Sequence, residues 1–332
     1  MGSARVAPAA EVRPRRIYTY WHELPVPDCV QRCIGSMRLW NPEWEVVVLT
    51  PASVSIPADA ARLPLANQSD WVRLEVLSER GGVWLDASII CTAPVEQWAG
   101  TADTRALVGF ELHARCMESF AFACPPRHPL VLAWRDEFGR AIARGPAAYC
   151  ADPRVVELVP PRLQAHMPYL VVYACFLATR AAHPHLADAR LLQLQPADAT
   201  EGPYWYLSTA LFGWQAWNAE RIVAHLATRA SVRAPLTKLT RHTRPELQRR
   251  IDTRDYAPDS IMRTCLQLPA PWDAMQNAER SSGGVVAPLP GNALGATTAA
   301  TLRMVVANDI ICSVYHARAG DAITRGRRRA RS

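Results

Sequence analysis

Residues Asn67 to Pro94, NQSDWVRLEVLSERGGVWLDASIICTAP, constrain the fold most, because a Gly-Gly step divides two patterns of different period. Before it the chain reads as a helix. Ser69 suits the N-cap, since its hydroxyl can accept from an amide of the first turn. Trp71, Leu74, Leu77 and Ser78 lie on one face, while Asp70 and Arg73, three apart, share another. Gly81 and Gly82 end the helix where a left-handed residue is wanted. Val83 to Ile90 then reads as a buried strand, with Val83, Leu85, Ala87 and Ile89 on one side and Trp84, Asp86, Ser88 and Ile90 on the other. Asp70, Arg73, Asp86 and Ser88 can therefore converge beside one strand end. A carboxylate among Leu, Ile and Val is costly to bury without a partner. Two readings stay open: a polar site, or an Asp70–Arg73 surface pair beside an Asp86 bonded to backbone amides.

The flanking chain fits an α/β protein. Arg16 to Trp21, RIYTYW, has the aromatic and β-branched residues of a strand. Pro25 and Pro27 break it, and Asp28 can cap a helix to about Trp40 with Cys29, Cys33, Ile34 and Met37 as its apolar stripe. Asn41-Pro42 ends that helix, and Trp44 to Thr50 is a second buried strand. Strand, helix, strand in this order indicates a parallel unit. Neither G-x-G-x-x-G after the first strand nor G-x-x-x-x-G-K-[ST] occurs, so both nucleotide fingerprints are excluded.

Further along, strands are expected at Ala106–Glu111, Ser119–Ala123 and Leu191–Leu194. A helix is expected from about Leu130 to Arg144, then helices from Ala148 to Ala182 broken at Pro153, Pro160-Pro161 and Pro168. The aromatics of Tyr204–Trp217 read as core, and Glu246–Ile251 as a weak helix. Residues 281–300 read as a linker, and Leu302 to Val314 as an amphipathic helix. The expected organisation is a disordered segment at 1–14, a catalytic domain at 15–250, an extension at 251–320 and an Arg-rich tail at 321–332.

Charge and cysteine content narrow the class. Five arginines between 325 and 331 supply five of the seven net positive charges, so the body of the protein is nearly neutral. That argues against specific nucleic-acid binding by the fold and leaves the tail as a solvated terminus or a weak peripheral membrane contact. The nine cysteines are scattered; Cys29 and Cys33 have no second pair to complete a zinc site. Buried free thiols in a reducing compartment are expected. No apolar leader and no run of eighteen apolar residues is visible, and a cytoplasmic location is expected.

Among groups with chemistry to offer, Asp86 stands first. At a strand end open to solvent it suits Mg²⁺ or Mn²⁺ and a diphosphate, since these ions take carboxylate oxygens and bridge to phosphate. Asp70 and Arg73 then serve as hydrogen-bonding arms. His183 and His185 flank a proline without a third ligand and read as exposed; His22 and His242 can face a cleft. Ser119 and Ser208 lack a nucleophile-elbow context. Glu118 is a polar candidate or a turn cap.

These residues carry a resemblance. SDWVRLEVLSERGGVWLDASI resembles the donor-site signature of the capsular polysaccharide synthesis glycosyltransferases and of related DXD-motif sugar transferases, including family 32 enzymes and the large clostridial glucosylating toxins. RIYTYW, WNPEWEVVVLT, ESFAFACPPRHPLVLAWRDEF and PLTKLTR are similar to further blocks, so the likeness runs from Arg16 to about Arg241. It implies a type-A glycosyltransferase fold, α/β, with a Rossmann-like nucleotide-binding half and a mixed central sheet. It also implies hexose transfer from a nucleotide sugar to a glycan hydroxyl, with retention, and a UDP-sugar favoured over a GDP-sugar. On this likeness Asp70 and Arg73 bind the donor sugar, Asp86 binds ribose or metal, and Tyr20 or Trp21 lies against the base. Lys238 or Arg241 neutralises the diphosphate. Ser88 stands where the common motif has a metal-binding Asp; the capsular branch often carries Asp-Ala-Ser or Asp-Ala-Thr here. Mn²⁺ or Mg²⁺ on Asp86 and Ser88 is thus expected with weakened affinity. A non-catalytic nucleotide-sugar or glycan-binding relative is the alternative.

Overall fold

A computed structural model describes residues 12–112, 116–207 and 218–266. In chain order it contains β1 (Arg16–Tyr20), α1 (Asp28–Trp40), β2 (Glu45–Leu49), α2 (Ala58–Ala61), α3 (Leu65–Arg80), β3 (Gly82–Leu85) and β4 (Ile89–Cys91). There follow α4 (Glu96–Ala99), β5 (Leu107–Leu112), β6 (Cys116–Cys124), α5 (Pro129–Arg144), α6 (Pro146–Cys150), α7 (Pro153–Leu158), α8 (Pro161–Gln164), α9 (Val171–Ala182) and β7 (Leu192–Pro196). The described part ends with α10 (Ala219–Thr228), β8 (Leu236–Lys238), α11 (Thr243–Thr253) and α12 (Ile261–Cys265). The first eleven residues, Ser208 with the rest of 208–217, the linker, the final helix and the Arg-rich tail lie outside the described residues.

Six strands form a mixed sheet in the order β2-β1-β3-β6-β5-β7. Neighbours run parallel at β1–β2, β1–β3 and β5–β7, whereas β6 is antiparallel to both β3 and β5. Alternation along each strand feeds two cores, one per face. Tyr18, Trp84 and Phe122 pack with Leu74 and Leu77 of α3, Trp134 of α5 and Phe176 of α9. Ile17, Val83, Leu85 and Ala123 pack with Ile34 and Met37 of α1 and with Leu226 and Leu247 beyond them. The mixed α/β architecture expected from the sequence is present.

Three local expectations are corrected. Helix α3 begins at Leu65, behind Pro64, because the amides of Asn67 and Gln68 already bond to the Pro64 carbonyl. Ser69 is therefore inside the helix, and its hydroxyl accepts from Arg73 Nη2 at 3.0 Å. Asp28 likewise occupies the first turn of α1 after Pro27, not the cap itself. The third correction shapes the site: Val83 to Ile90 is not one strand. β3 leaves the main sheet at Leu85, a turn follows in which the Ile89 amide bonds to the Asp86 carbonyl (3.0 Å), and β4 pairs antiparallel with β8 in a separate ladder. The other expected elements within the described residues lie within a few residues of expectation, β6 extending further than Ser119–Ala123 on both sides, whereas α2, α4, α10 and α12 were not expected.

The Gly-Gly step is demanded by space as well as conformation. Gly81 has φ +62° and Gly82 φ +107°, and a Cβ on Gly81 would meet the Pro126 nitrogen at 2.3 Å. No helix among the described residues is long and apolar enough to cross a membrane. The eight described cysteines are free thiols, seven of them buried.

Candidate active site

The turn after β3 places Asp86 at the strand's carboxyl end, α3, β3 and β8 supply partners for its carboxylate, and β6 supports the pair behind it. From α3, one turn of helix puts Arg73 beside Asp70: Nη1 lies 3.1 Å from Asp70 Oδ1 while Nη2 lies 3.1 Å from Asp86 Oδ1. Trp84 Nε1, two residues back and on the same side of β3, donates to Asp86 Oδ1 at 3.0 Å. Its ring also lies beneath the Arg73 guanidinium at 5.3 Å. From β8, Lys238 Nζ donates to Asp86 Oδ2 at 2.8 Å and to Ser88 Oγ at 3.2 Å. The register of the β4–β8 ladder, which sets Ile89 opposite Lys238, makes that reach short. From β6, Ser119 Oγ accepts from Arg73 Nη1 and donates to Asp70 Oδ1 at 3.4 Å.

The alternative reading of these residues is corrected: the Asp70–Arg73 pair forms but is buried, and Asp86 is held by side chains. Asp70 and Arg73 are 6% and 5% exposed, and the Asp86 carboxylate bonds to side chains. Burial pushes the Asp70 carboxyl up to about 6, against the pull of Arg73 and of hydrogen bonds from Asn67 and Ser119. Burial penalises Asp86 as well, but Arg73 and Lys238 together outweigh it and hold this carboxyl below its ordinary range. Asp86 touches two cations, whereas Asp70 touches one and is raised further by the Asp86 charge.

This cluster floors a cleft of about 470 Å³ lined by Trp21, His22, Ser69, Arg73, Asp86, Ser88, Tyr169, Tyr204, Lys238, Arg241 and Arg244, among others. A recess of about 140 Å³ adjoins it at Asp70, Ser119, Tyr173 and Phe120. At the cleft, Trp21 carries the Arg244 guanidinium 5.5 Å from its ring centroid, and its Nε1 is a buried donor with no partner among the described residues. Tyr20 also borders the cleft but belongs to the core beneath α3, so of the two aromatic candidates Trp21 is the better placed. Glu118, behind the recess, accepts from the Tyr173 hydroxyl at 2.9 Å, and burial raises its carboxyl to about 7.

The sequence thus named Asp70, Arg73, Asp86, Ser88, Lys238, Tyr20 and Trp21, and all seven border the same cleft or its recess. His242 is exposed at the start of α11, and His183 and His185 flank a surface turn far along the chain. Sequence reasoning missed Ser69, Ser119, Tyr169, Tyr173, Tyr204 and Arg244 as site residues. A signal existed for one: Ser119 is a hydroxyl inside the apolar run ESFAFAC, where only a buried partner tolerates it.

Asp86 and Ser88 do not fit a divalent ion as they stand. Lys238 Nζ already bridges the free carboxylate oxygen and the hydroxyl, and the same hydroxyl donates to the Leu239 carbonyl at 3.3 Å. Among the described residues, no group of three or more His, Cys, Asp or Glu is placed to hold a metal.

No curated protein matches the chain. Among solved structures, "PaToxG Glycosyltransferase" is similar at 15% identity and a TM-score of 0.32, over 52% of this chain and 79% of its own. Residues 6–138, which carry Tyr20, Trp21, Asp70, Arg73, Asp86 and Ser88, match the family described as capsular polysaccharide synthesis protein, so the resemblance read from the sequence holds over that segment.

Proposed function

We propose that this protein is a glycosyltransferase that moves a hexose from a nucleotide sugar to a hydroxyl of a glycan acceptor, with retention at the anomeric carbon. One observation carries the reading: an ion cluster, Asp70–Arg73–Asp86–Lys238, buried at Asp70 and Arg73 and part-exposed at Asp86 and Lys238, opens onto a cleft with an aromatic shelf at Trp21. Such a cleft suits a ligand with a flat base at one end, a polar sugar at the other and a diphosphate between. Arg73 and Asp70, locked by packing and by Ser119, are arms for sugar hydroxyls, since little reorganisation is needed when a ligand arrives. The cations Lys238, Arg241 and Arg244 border the cleft and suit a diphosphate. Partial match to a capsular polysaccharide synthesis family agrees with a glycan product. A UDP-sugar is favoured as donor.

The experiment is a screen of UDP- and GDP-sugars for donor hydrolysis and transfer, with wild-type protein beside Asp86→Ala. One donor is expected to be turned over by wild type, with loss of about 10²–10³-fold or more in the variant. Equal rates for the two proteins would refute the site. Tight nucleotide-sugar binding without hydrolysis or transfer would select a non-catalytic binding protein.

A further inference from the structure

We propose that the Lys238 ammonium supplies the positive charge that the leaving diphosphate needs, so that the chain transfers its sugar without a divalent metal. The inference rests on the nucleotide-sugar reading above. Departure of a diphosphate develops negative charge on a phosphate oxygen, and a cation must stand there to offset it. Beside Asp86 that cation is part of the chain. Nζ sits 2.8 Å from Asp86 Oδ2 and 3.2 Å from Ser88 Oγ, the two atoms a metal ion at this turn would use.

Its position is built, not incidental. Lys238 ends β8, its amide bonds to the Pro203 carbonyl at 2.9 Å and its carbonyl accepts from the Tyr206 hydroxyl at 2.6 Å. Its side chain is 14% exposed and lines both the cleft and its recess. Two of its three hydrogens go to Asp86 and Ser88, leaving one for a phosphate oxygen. Charge balance points the same way: Arg73 and Lys238 match Asp70 and Asp86, and the negative charge that a diphosphate brings meets Arg241 and Arg244 as well as Lys238 at the cleft.

The transfer then needs no further reactant. The bond from the anomeric carbon to the phosphate oxygen breaks, and its electron pair stays on that oxygen, where Lys238 donates. The acceptor hydroxyl oxygen bonds to the anomeric carbon, and its proton passes to the departing phosphate.

The test reads metal binding and turnover separately. Full-length protein is stripped with EDTA and titrated with MnCl₂ by calorimetry and by electron paramagnetic resonance, alone and with UDP. Wild type is expected to bind Mn²⁺ no tighter than about 1 mM, and Lys238→Met, which uncovers Asp86 and Ser88, about tenfold tighter. Wild-type binding at tens of micromolar that Asp86→Ala abolishes would overturn the proposal whether or not any sugar is transferred. With a donor found in the screen, EDTA should leave kcat within about twofold, and Lys238→Met should lower it about 10²-fold or more. A loss in EDTA that Mn²⁺ restores would overturn the role of Lys238 and keep the transferase. Absence of turnover with every donor and metal would overturn the transferase, while the Mn²⁺ titration still decides whether Lys238 excludes a metal.

Discussion

Lys238 and Asp86 are separated by 152 residues and meet at 2.8 Å. The contact exists because the chain abandons the main sheet at Leu85, turns through Asp86, and starts a second ladder whose partner strand ends at Lys238. A strand running straight through Ile90 would have left Asp86 facing its own helices with Arg73 alone. The small ladder thus gives Asp86 its second cation. Together with Arg73, that cation outweighs burial and holds the Asp86 carboxyl below its ordinary range.

Arg73 is expected to be the structural centre of this cluster. Among the described residues it is the one cation touching both Asp70 and Asp86, and its side chain is 6% exposed. Removing one partner from a buried ion network leaves charges uncompensated, so Arg73→Met should lose about 3–5 kcal/mol in urea unfolding. Adding Asp70→Asn should return part of that loss, since the neutral amide no longer needs a counter-charge. A loss under about 1 kcal/mol would show the network to be hydrated and weak.

Glu118 makes stability depend on pH. Its carboxyl is raised by burial from 4.5 to about 7, opposed by the Tyr173 hydrogen bond. Between those values the folded protein holds a proton that the unfolded chain has released, so this contribution is complete below about 4.5 and disappears as pH rises to about 7. Glu118→Gln keeps an acceptor for Tyr173 and has no charge to bury. The difference in unfolding free energy, variant minus wild type, should rise by roughly 3 kcal/mol from pH 4 to pH 8. A flat difference across that range would mean that Glu118 is ionised without penalty. Comparing the two proteins removes most of the Asp70 and Asp86 titrations, which act in opposite directions, and leaves the repulsion between Asp86 and Glu118 as part of the Glu118 effect.

How much of this was legible in the sequence follows from distance along the chain. Asp70, Arg73 and Asp86 lie within one helix and the strand and turn that follow it, so periodicity allowed them to converge but left a surface pair equally open. Lys238 was reachable only through the family likeness of PLTKLTR, because β8 is three residues long and too short to carry a period. Asp86 itself marks the strand break that was missed: a carboxylate in an apolar run can signal a strand end as well as a buried group. Ser69 misled for a local reason, since a hydroxyl before an apolar run resembles a cap, whereas Pro64 five residues earlier already fixes the first turn.

The Gly-Gly step offers a control for how strictly the turn before β3 is built. Gly81→Ala requires an L-residue at φ +62° and a Cβ within 2.3 Å of the Pro126 backbone nitrogen. Backbone strain and overpacking together should cost about 2–4 kcal/mol. Gly139, inside α5, meets only Trp71 at 3.8 Å, and Gly139→Ala should be neutral or stabilising by up to about 1 kcal/mol. Thermal melts of the two variants check the contrast; similar shifts for both would mean that the turn relaxes freely.

Trp21 tests the base end of the cleft apart from its chemistry. Its ring is part-exposed, carries Arg244 at 5.5 Å, and presents an indole donor that no described residue satisfies. A base stacked here gains a flat apolar contact, worth about 1–3 kcal/mol for aromatic–base pairs. Because this contact is the same before and during transfer, its loss weakens ground-state and transition-state binding equally. Trp21→Ala should therefore raise the donor KM about tenfold or more with kcat nearly unchanged, and Trp21→Phe should restore most of the affinity. If kcat fell instead and KM stayed, Trp21 would be supporting the reacting end of the cleft through Arg244, and the base would bind elsewhere.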